Sequence, residues 1–502
     1  MQQNMGAQVV LVAAVIVNSL LLVQSVVFNR TAFPSDFVFG AASAAYQYEG
    51  AAFEGGKGPS IWDTFTHKFP EKILDGNNAD VADDFYHRYK EDVKLMDDIG
   101  LDAFRLSISW PRLLPKGKLT GGVNKEGVAF YNNLIDELLS KGIQPFVTIY
   151  HWDLPQALED EYGGLLHPQF RKDYQDFADL CFKEFGDRVK HWITFNEPYS
   201  STVFSYELGS FAPGRCSSWI SKDCPAGNSA TEPYIAGHNI LLSHALVVKL
   251  YKQKYQATQK GVIGITIVSH WFIPFSPSKD DKQAAQRALD FMFGWFMDPI
   301  VFGEYPQSMR TLVKERLPKF SVEEANLLKG SFDFIGINYY TSNYAAHIKS
   351  TNTVHFSYST DSRSNLTTSR NGRPIGAPTD VSIFFVYPRG MRDLLIYVKN
   401  KYNNPTIYVT ESGYGETDRG IVTRGVNDTA RISFYYRHIL AIKDAIKQGV
   451  TVKGFFPWTF LDTFEWNSGY TQRFGLNYVD YNDNLKRYPK HSAMWYKKFL
   501  AG

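Results

Sequence analysis

The chain has 502 residues, 44% of them hydrophobic, 21% charged and 15% aromatic. That mixture excludes a disordered or fibrous polymer, and a formal net charge of +2 leaves no nucleic-acid footprint or polybasic membrane patch. The high aromatic content suits a large core, and equally a site that stacks on sugars or small molecules.

Residues 1–25 carry no Lys, Arg, Asp or Glu, and from Val9 to Val27 the chain is aliphatic apart from Asn18, Ser19, Gln24 and Ser25. Those polar breaks favour a secretory signal peptide over a membrane anchor, which wants about 20 unbroken apolar residues. The mature chain is therefore expected over 26–502, in the secretory pathway, bound for the extracellular space or the vacuole, with no membrane attachment once the leader is removed. Three sequons begin at Asn29, Asn365 and Asn427, and each is usable in that compartment. Of three cysteines, Cys216 and Cys224 sit eight positions apart in a Gly/Ser/Pro-rich loop and read as a loop-closing disulfide in an oxidising compartment. Cys181, in the apolar run 177–182, reads as a small core residue. No zinc spacing is present, and no metal or cofactor is expected.

Beyond the leader, strand candidates follow at 37–42, 103–109, 144–150, 191–196, 262–269, 332–340, 406–410 and 452–458. Several, such as Phe146-Val147-Thr148-Ile149-Tyr150, are near-continuous apolar runs, as in strands buried on both faces. Helical patterns alternate with them. Val81, Phe85, Tyr89, Val93 and Met96 recur every three to four residues, and Gly100 follows as a stop. Asn124 is placed to cap the segment of Val128, Tyr131, Leu134, Ile135 and Leu138, which ends at Gly142. Segments 170–185, before Gly186, and 428–447, before Gly449, repeat the scheme. Eight strand–helix alternations predict an α/β chain folded as a single (β/α)8 TIM barrel. An open doubly wound sheet would carry a G-x-G-x-x-G turn, and none occurs. The polar stretch 341–390 is expected as a long loop at the barrel's C-terminal face. Gly55-Gly56-Lys57-Gly58 lacks phosphate-loop spacing and reads as a solvated loop.

In a barrel, chemistry belongs where the strands end. Ile193-Thr194-Phe195-Asn196-Glu197-Pro198 closes the fourth strand and Ile407-Tyr408-Val409-Thr410-Glu411-Ser412 closes the seventh. Each delivers a carboxylate straight after a buried run, where it must be desolvated or paired. A lone Glu in such a place is more often a cap or a surface ion pair; two at one mouth suit cleavage of a glycosidic bond. One carboxyl protonates the leaving oxygen while the other meets the anomeric carbon. A gap of about 5–5.5 Å gives retention and one of about 6.5–9.5 Å inversion, and the residues leave that choice open. Further polar and aromatic groups share the address: Arg105, His151, Asn338, Tyr340, Trp458, Glu465 and Trp466, with Gln47 and Glu49 near the first strand. H-E-x-x-H, G-x-S-x-G and Walker sequences are absent from the chain.

These motifs resemble glycoside hydrolase family 1, in its secreted plant β-glucosidase branch. The resemblance runs from about Phe33 to Phe499. It is carried by Phe33-Pro34-x-x-Phe37-x-Phe39-Gly40, Thr194-Phe195-Asn196-Glu197-Pro198, Asn338-Tyr339-Tyr340, Thr410-Glu411-x-Gly413 and Glu465-Trp466-x-x-Gly469-Tyr470-x-x-Arg473-Phe474-Gly475. It implies a retaining β-glycosidase acting on small-molecule glycosides, with Glu197 as acid/base and Glu411 as nucleophile. Gln47, His151, Asn196, Glu465 and Trp466 would hold the glucose, Trp458 would lie beneath its ring, and Asn338 and Ser468 would complete the binding set. Tyr340 and Arg105 would contact the nucleophile. A thioglucosidase of the myrosinase type would carry Gln at Glu197. A transglycosidase, or a non-catalytic sugar-binding barrel, remains a rival reading, although the latter should have lost a carboxylate.

The chain departs from the common pattern at three places. Ser412 stands where most members have Asn after the nucleophile. Ile383 stands where many plant members carry a Trp walling the aglycone slot. Ser468 is small where the sugar's 6-position faces. Together with the likeness of 153–162 to primeverosidases and furcatin hydrolases, Ser468 suggests room for a second sugar, and so release of a 6-O-pentosyl-glucose disaccharide.

Overall fold

A computed structural model describes residues 28–349 and 354–502. The expected leader, 1–25, lies outside the described residues. Eight strands, β1 (Val38–Ala42), β2 (Ala103–Ser107), β3 (Gln144–Tyr150), β4 (His191–Asn196), β5 (Val262–Val268), β6 (Phe334–Asn338), β7 (Ile407–Ser412) and β8 (Val452–Pro457), form one closed barrel. Every pair is parallel, each strand lies beside its successor, and β8 returns to β1 through Val38↔Gly454 and Phe39↔Phe455. All eight segments predicted as strands are barrel strands: 144–150 and 191–196 keep their expected bounds, the segment expected at 406–410 starts one residue later and runs on to Ser412, and the other five are trimmed at one or both ends. The near-continuous apolar runs follow from this closure: one face of each strand fills the barrel and the other meets the helical ring, so neither face is open to solvent.

The helices obey their caps more than their apolar spacing. α1 (Phe85–Ile99) buries Phe85, Val93, Met96 and Ile99 and stops at Gly100, whose φ of +85 is the left-handed cap that glycine adopts at no steric cost. Val81 does not belong to it. Asp84 turns left-handed at φ 52, the helix starts one residue later, and Val81 stays 59% exposed. α2 (Lys125–Ser140) begins as expected, Asn124 Oδ1 accepting from the Glu126 N–H at 3.2 Å. α3 (Gln169–Phe185) ends at Gly186 in ordinary right-handed conformation (φ −73), so that glycine is no left-handed stop. The Gly55–Gly58 loop also departs from expectation: Lys57 is nearly buried, its Nζ 2.7 Å from Asp63 Oδ2.

Inside the barrel, three side chains meet under the mouth. Thr266 Oγ1 donates to Thr410 Oγ1 (3.2 Å), and Thr410 Oγ1 donates to Asn338 Oδ1 (2.8 Å). Gly336 leaves space for this contact, since a Cβ there would stand 2.2 Å from Thr266 Oγ1 and 2.8 Å from Thr410 Oγ1.

The 341–390 stretch is more ordered than a polar loop. Ser342–His347 pairs in parallel with Trp271–Pro274 and antiparallel with Ser364–Thr367. The segment after it meets the loop closed by the Cys216–Cys224 disulfide, where Trp219 stacks on His355, and its Ser359 N–H donates to Glu207 Oε1 (2.6 Å) just after the helix Pro198–Tyr206. Cys181 is buried and free. Asn365 and Asn427 are exposed; Asn29 is half-buried, its Oδ1 accepting from Thr31 N and Oγ1. Among the described residues no helix is long and apolar enough to cross a membrane, and no group of three or more His, Cys, Asp or Glu is arranged to hold a metal ion.

Candidate active site

A cavity of about 730 Å³ opens at the C-terminal ends of the strands, and both Glu197 and Glu411 line it. Glu197 follows β4 and is 6% exposed; Glu411 lies within β7 and is 3% exposed. One hydrogen-bonded chain joins them. Glu197 Oε1 accepts from Asn338 Nδ2 (2.6 Å), which also donates to Asn196 Oδ1 (3.2 Å). Asn196 Oδ1 accepts from Arg105 Nη2 (2.7 Å), and Arg105 Nη1 donates to Glu411 Oε1. The other oxygens are held as well: Ser200 Oγ donates to Glu197 Oε2 (2.6 Å) and Tyr340 Oη to Glu411 Oε2 (2.8 Å).

The two carboxyls sit in different electrostatic surroundings. Glu411 forms an ion pair with the fully buried Arg105 guanidinium. Glu197 has no cation in contact. Burial, with the charge on Glu411 adding to it, pushes its pKa up to about 7, so it holds a proton near neutral pH. Two chemically identical side chains are thereby divided into a carboxylate and an acid.

Around this pair stand the groups that could read a sugar. His151, after β3, lies between Trp458 and Trp466 with ring centroids 6.0 and 5.9 Å away. Its Nε2 accepts from Asn196 Nδ2 (3.0 Å), so Nδ1 carries the proton, and that buried N–H has no partner in the protein. Burial, with Arg105 adding, pushes its pKa well below the usual value and keeps the ring neutral. Gln47 Nε2 donates to Phe464 O (2.9 Å) and Glu465 Oε2 (3.4 Å), leaving a buried Gln47 Oε1 unpartnered. Burial pushes Glu465 up to about 8. Unpartnered donors and acceptors in a buried wall are costly unless a ligand meets them, and sugar hydroxyls supply both kinds. Trp458, Glu465, Trp466 and Ser468 all line the cavity.

Some expected residues stand elsewhere. Asn338 is fully buried with its amide engaged by Asn196, Glu197 and Thr410, so it holds Glu197 in place and does not face the cavity. Arg105 likewise stands behind the wall, also donating to Thr410 O (3.2 Å). Glu49 turns away altogether to Arg112 (2.8 Å) and Tyr131 (2.5 Å). Ser200, Gln472 and Phe384 were not expected. Ser200 is the third residue after Glu197, one helical turn on, and that spacing was the available signal. Phe384 stacks on Tyr340 at 5.2 Å. Gln472 lines the wall near Ser468 with its Oε1 buried and unpartnered. Ile383 is 56% exposed on the rim.

Strain gathers here too. Trp152, Glu197 and Trp466, all lining the cavity, have φ of 73, 44 and 51. Non-glycine residues rarely tolerate that region, and such outliers cluster at functional sites, where the surrounding fold holds them.

Comparison with known proteins is consistent along the whole described chain. The model of glycosyl hydrolase family 1 matches residues 29–502. "Beta-glucosidase 12" of Oryza sativa subsp. indica is 60% identical over 474 residues, which cover 94% of this chain and 93% of that protein. Furcatin hydrolase of Viburnum furcatum is 60% identical over 469 residues, 93% of this chain and 86% of that one. A crystal structure of the rice Os3BGlu6 β-glucosidase superposes with a TM-score of 0.92 at 49% identity, covering 94% of this chain and 99% of that one.

Proposed function

Because the chain belongs to glycosyl hydrolase family 1 and is an O-glycosyl hydrolase, we propose that it is a retaining β-glucosidase working by double displacement. The observation that carries this reading is the pair itself. An Arg-held carboxylate and a protonated carboxyl share one cavity of about 730 Å³, each fixed by two hydrogen bonds. In the first step Glu411 attacks the anomeric carbon while Glu197 gives its proton to the glycosidic oxygen, and the aglycone leaves as a neutral alcohol. A glycosyl ester on Glu411 results. Its formation removes the negative charge that helped raise Glu197, so Glu197, now ionised, becomes a stronger acid in its protonated form and stays deprotonated. It then takes a proton from water as the water opens the ester, and both residues return to their starting states. Tyr340 and Arg105 hold the carboxylate for in-line attack, and Trp458 with Trp466 supply faces for the sugar's C–H side.

The finer reading is a preference for a 6-O-glycosylated glucose. Ser468 and Gln472 support it: a small side chain and, four residues on in the same cavity wall, an amide oxygen that is buried and unpartnered. A second sugar's hydroxyl is the kind of donor that Gln472 Oε1 lacks. The rival is a strict monoglucosidase. Rates on 4-nitrophenyl β-glucoside and on its 6-O-β-xylosyl form decide between them. The expected result is at least about a tenfold higher kcat/KM for the disaccharide glycoside, the scale of one or two well-met hydrogen bonds, with intact disaccharide released. Equal rates, or stepwise release of xylose and then glucose, would leave the monoglucosidase.

A further inference from the structure

The cavity continues past its sugar-binding end into a lobe walled by Val268, Phe272, Ala288, Phe291 and Met292, with His270 among them. That wall is built irregularly. Asp290–Gly294 forms a turn of π-helix between the α-helices Lys279–Leu289 and Trp295–Phe302, and it carries Phe291 and Met292. Such turns recur at functional sites because the extra residue re-aims side chains. Here the turn is pinned at two points. Phe291 O accepts from Tyr358 Oη (2.9 Å), and Met292 Sδ accepts from the backbone N–H of His270 (3.4 Å).

The His270 ring is held just as firmly. Nδ1 donates to Asn343 Oδ1 at 2.7 Å, from the strand Ser342–His347. The proton is therefore on Nδ1, and Nε2 is left as a bare acceptor. Burial keeps the ring neutral, pushing its pKa down to about 4. Among the described residues Nε2 has no hydrogen-bond partner. The Ser364 hydroxyl on the same wall donates to Ala284 O (2.9 Å), away from the imidazole. His270 is half-buried on the cavity wall, so Nε2 is within reach of a ligand and stands as a free acceptor among apolar neighbours.

We propose that His270 is a specificity-determining residue whose Nε2 accepts a hydrogen bond from a hydroxyl on the far side of an apolar aromatic aglycone. The inference rests on the glycosidase reading above and adds the class of leaving group: multi-ring phenols with a free hydroxyl remote from the glycosidic oxygen. The π-turn supplies the flat apolar wall, and the thioether of Met292 lets that wall adapt to ring shape. Methylation of the remote hydroxyl would remove the donor and add bulk at the same point.

The test uses 4-biphenylyl β-glycosides carrying hydroxyl, methoxy or hydrogen at the 3′ or 4′ position, on whichever glycone the enzyme cleaves. Within each variant, kcat/KM is compared across the three substituents. Wild type is expected to favour the better-placed hydroxyl by about tenfold over both its methoxy and its unsubstituted counterpart. His270→Leu should bring that ratio to within about twofold, and His270→Asn, which keeps an acceptor, should retain part of it. A wild-type ratio near one overturns the proposal, as does a ratio that survives in His270→Leu. Should the Leu variant not fold, an Asn variant with the full wild-type preference for hydrogen-bond geometry it cannot reproduce would also count against it. Absence of turnover on every glycoside would instead strike at the hydrolase reading.

Discussion

Glu411→Ala is expected to lower kcat on an aryl β-glycoside by about 10⁴ to 10⁶, since no other group can form the covalent intermediate. The same variant leaves Arg105 buried without its carboxylate. Breaking a buried ion pair by removing one partner costs about 3–5 kcal/mol, so the melting temperature should fall as well. Loss of activity through misfolding is separated from loss of the nucleophile by adding azide. A small anion fits where the carboxylate stood, is attracted by Arg105, and attacks the anomeric carbon from the same face. The aglycone departs with the proton of Glu197, and the product is the α-glycosyl azide. Restored turnover with that product supports the assignment. Unchanged activity in the absence of azide, or a β-glycosyl azide in its presence, removes Glu411 from the role.

Replacement of Glu197 by Gln should separate the two half-reactions. A glycoside with a poor leaving group needs the proton, and its kcat/KM is expected to fall by about 10² to 10⁴. A 2,4-dinitrophenyl glycoside leaves unaided, so its first step should persist while hydrolysis of the ester, deprived of its base, slows. The glycosyl-enzyme then accumulates, visible as a burst of dinitrophenolate and as the mass of the labelled protein. The pH profile carries the same information. Glu197 must be protonated in the free enzyme, and its pKa is pushed up to about 7. Wild-type kcat/KM should therefore decline as pH rises through about 7, and this alkaline limb should vanish in Glu197→Gln. An alkaline limb that remained would assign it to a different group.

Much of this was legible because the barrel imposes simple rules on sequence. Strands covered on both faces are mostly apolar, so near-continuous runs such as Phe146–Tyr150 announced themselves, and a Glu directly after such a run stood out as a cost in need of a purpose. What stayed hidden was direction. Gln47 and Glu49 are two residues apart past the same strand, yet one donates to Glu465 of the cavity wall and the other is committed to Arg112 and Tyr131. Asn338 matched a motif, but its amide is consumed in holding Glu197. The left-handed turns at Trp152, Glu197 and Trp466 leave no mark in composition, since non-glycine residues adopt them only under tertiary constraint. His270 and Gln472 were invisible for a related reason. Each is ordinary in sequence, and only the fold shows that a polar atom of each is left without a partner.

The central claim is that two carboxyl groups act in turn on one anomeric carbon through an ester on Glu411. Following hydrolysis of a β-glycoside by ¹H NMR, before mutarotation, reads this directly. The first sugar to appear should be the β-anomer, with the α-anomer growing in only at the rate of mutarotation. If the α-anomer forms first, water attacks the substrate itself, and the covalent step assigned to Glu411 does not occur.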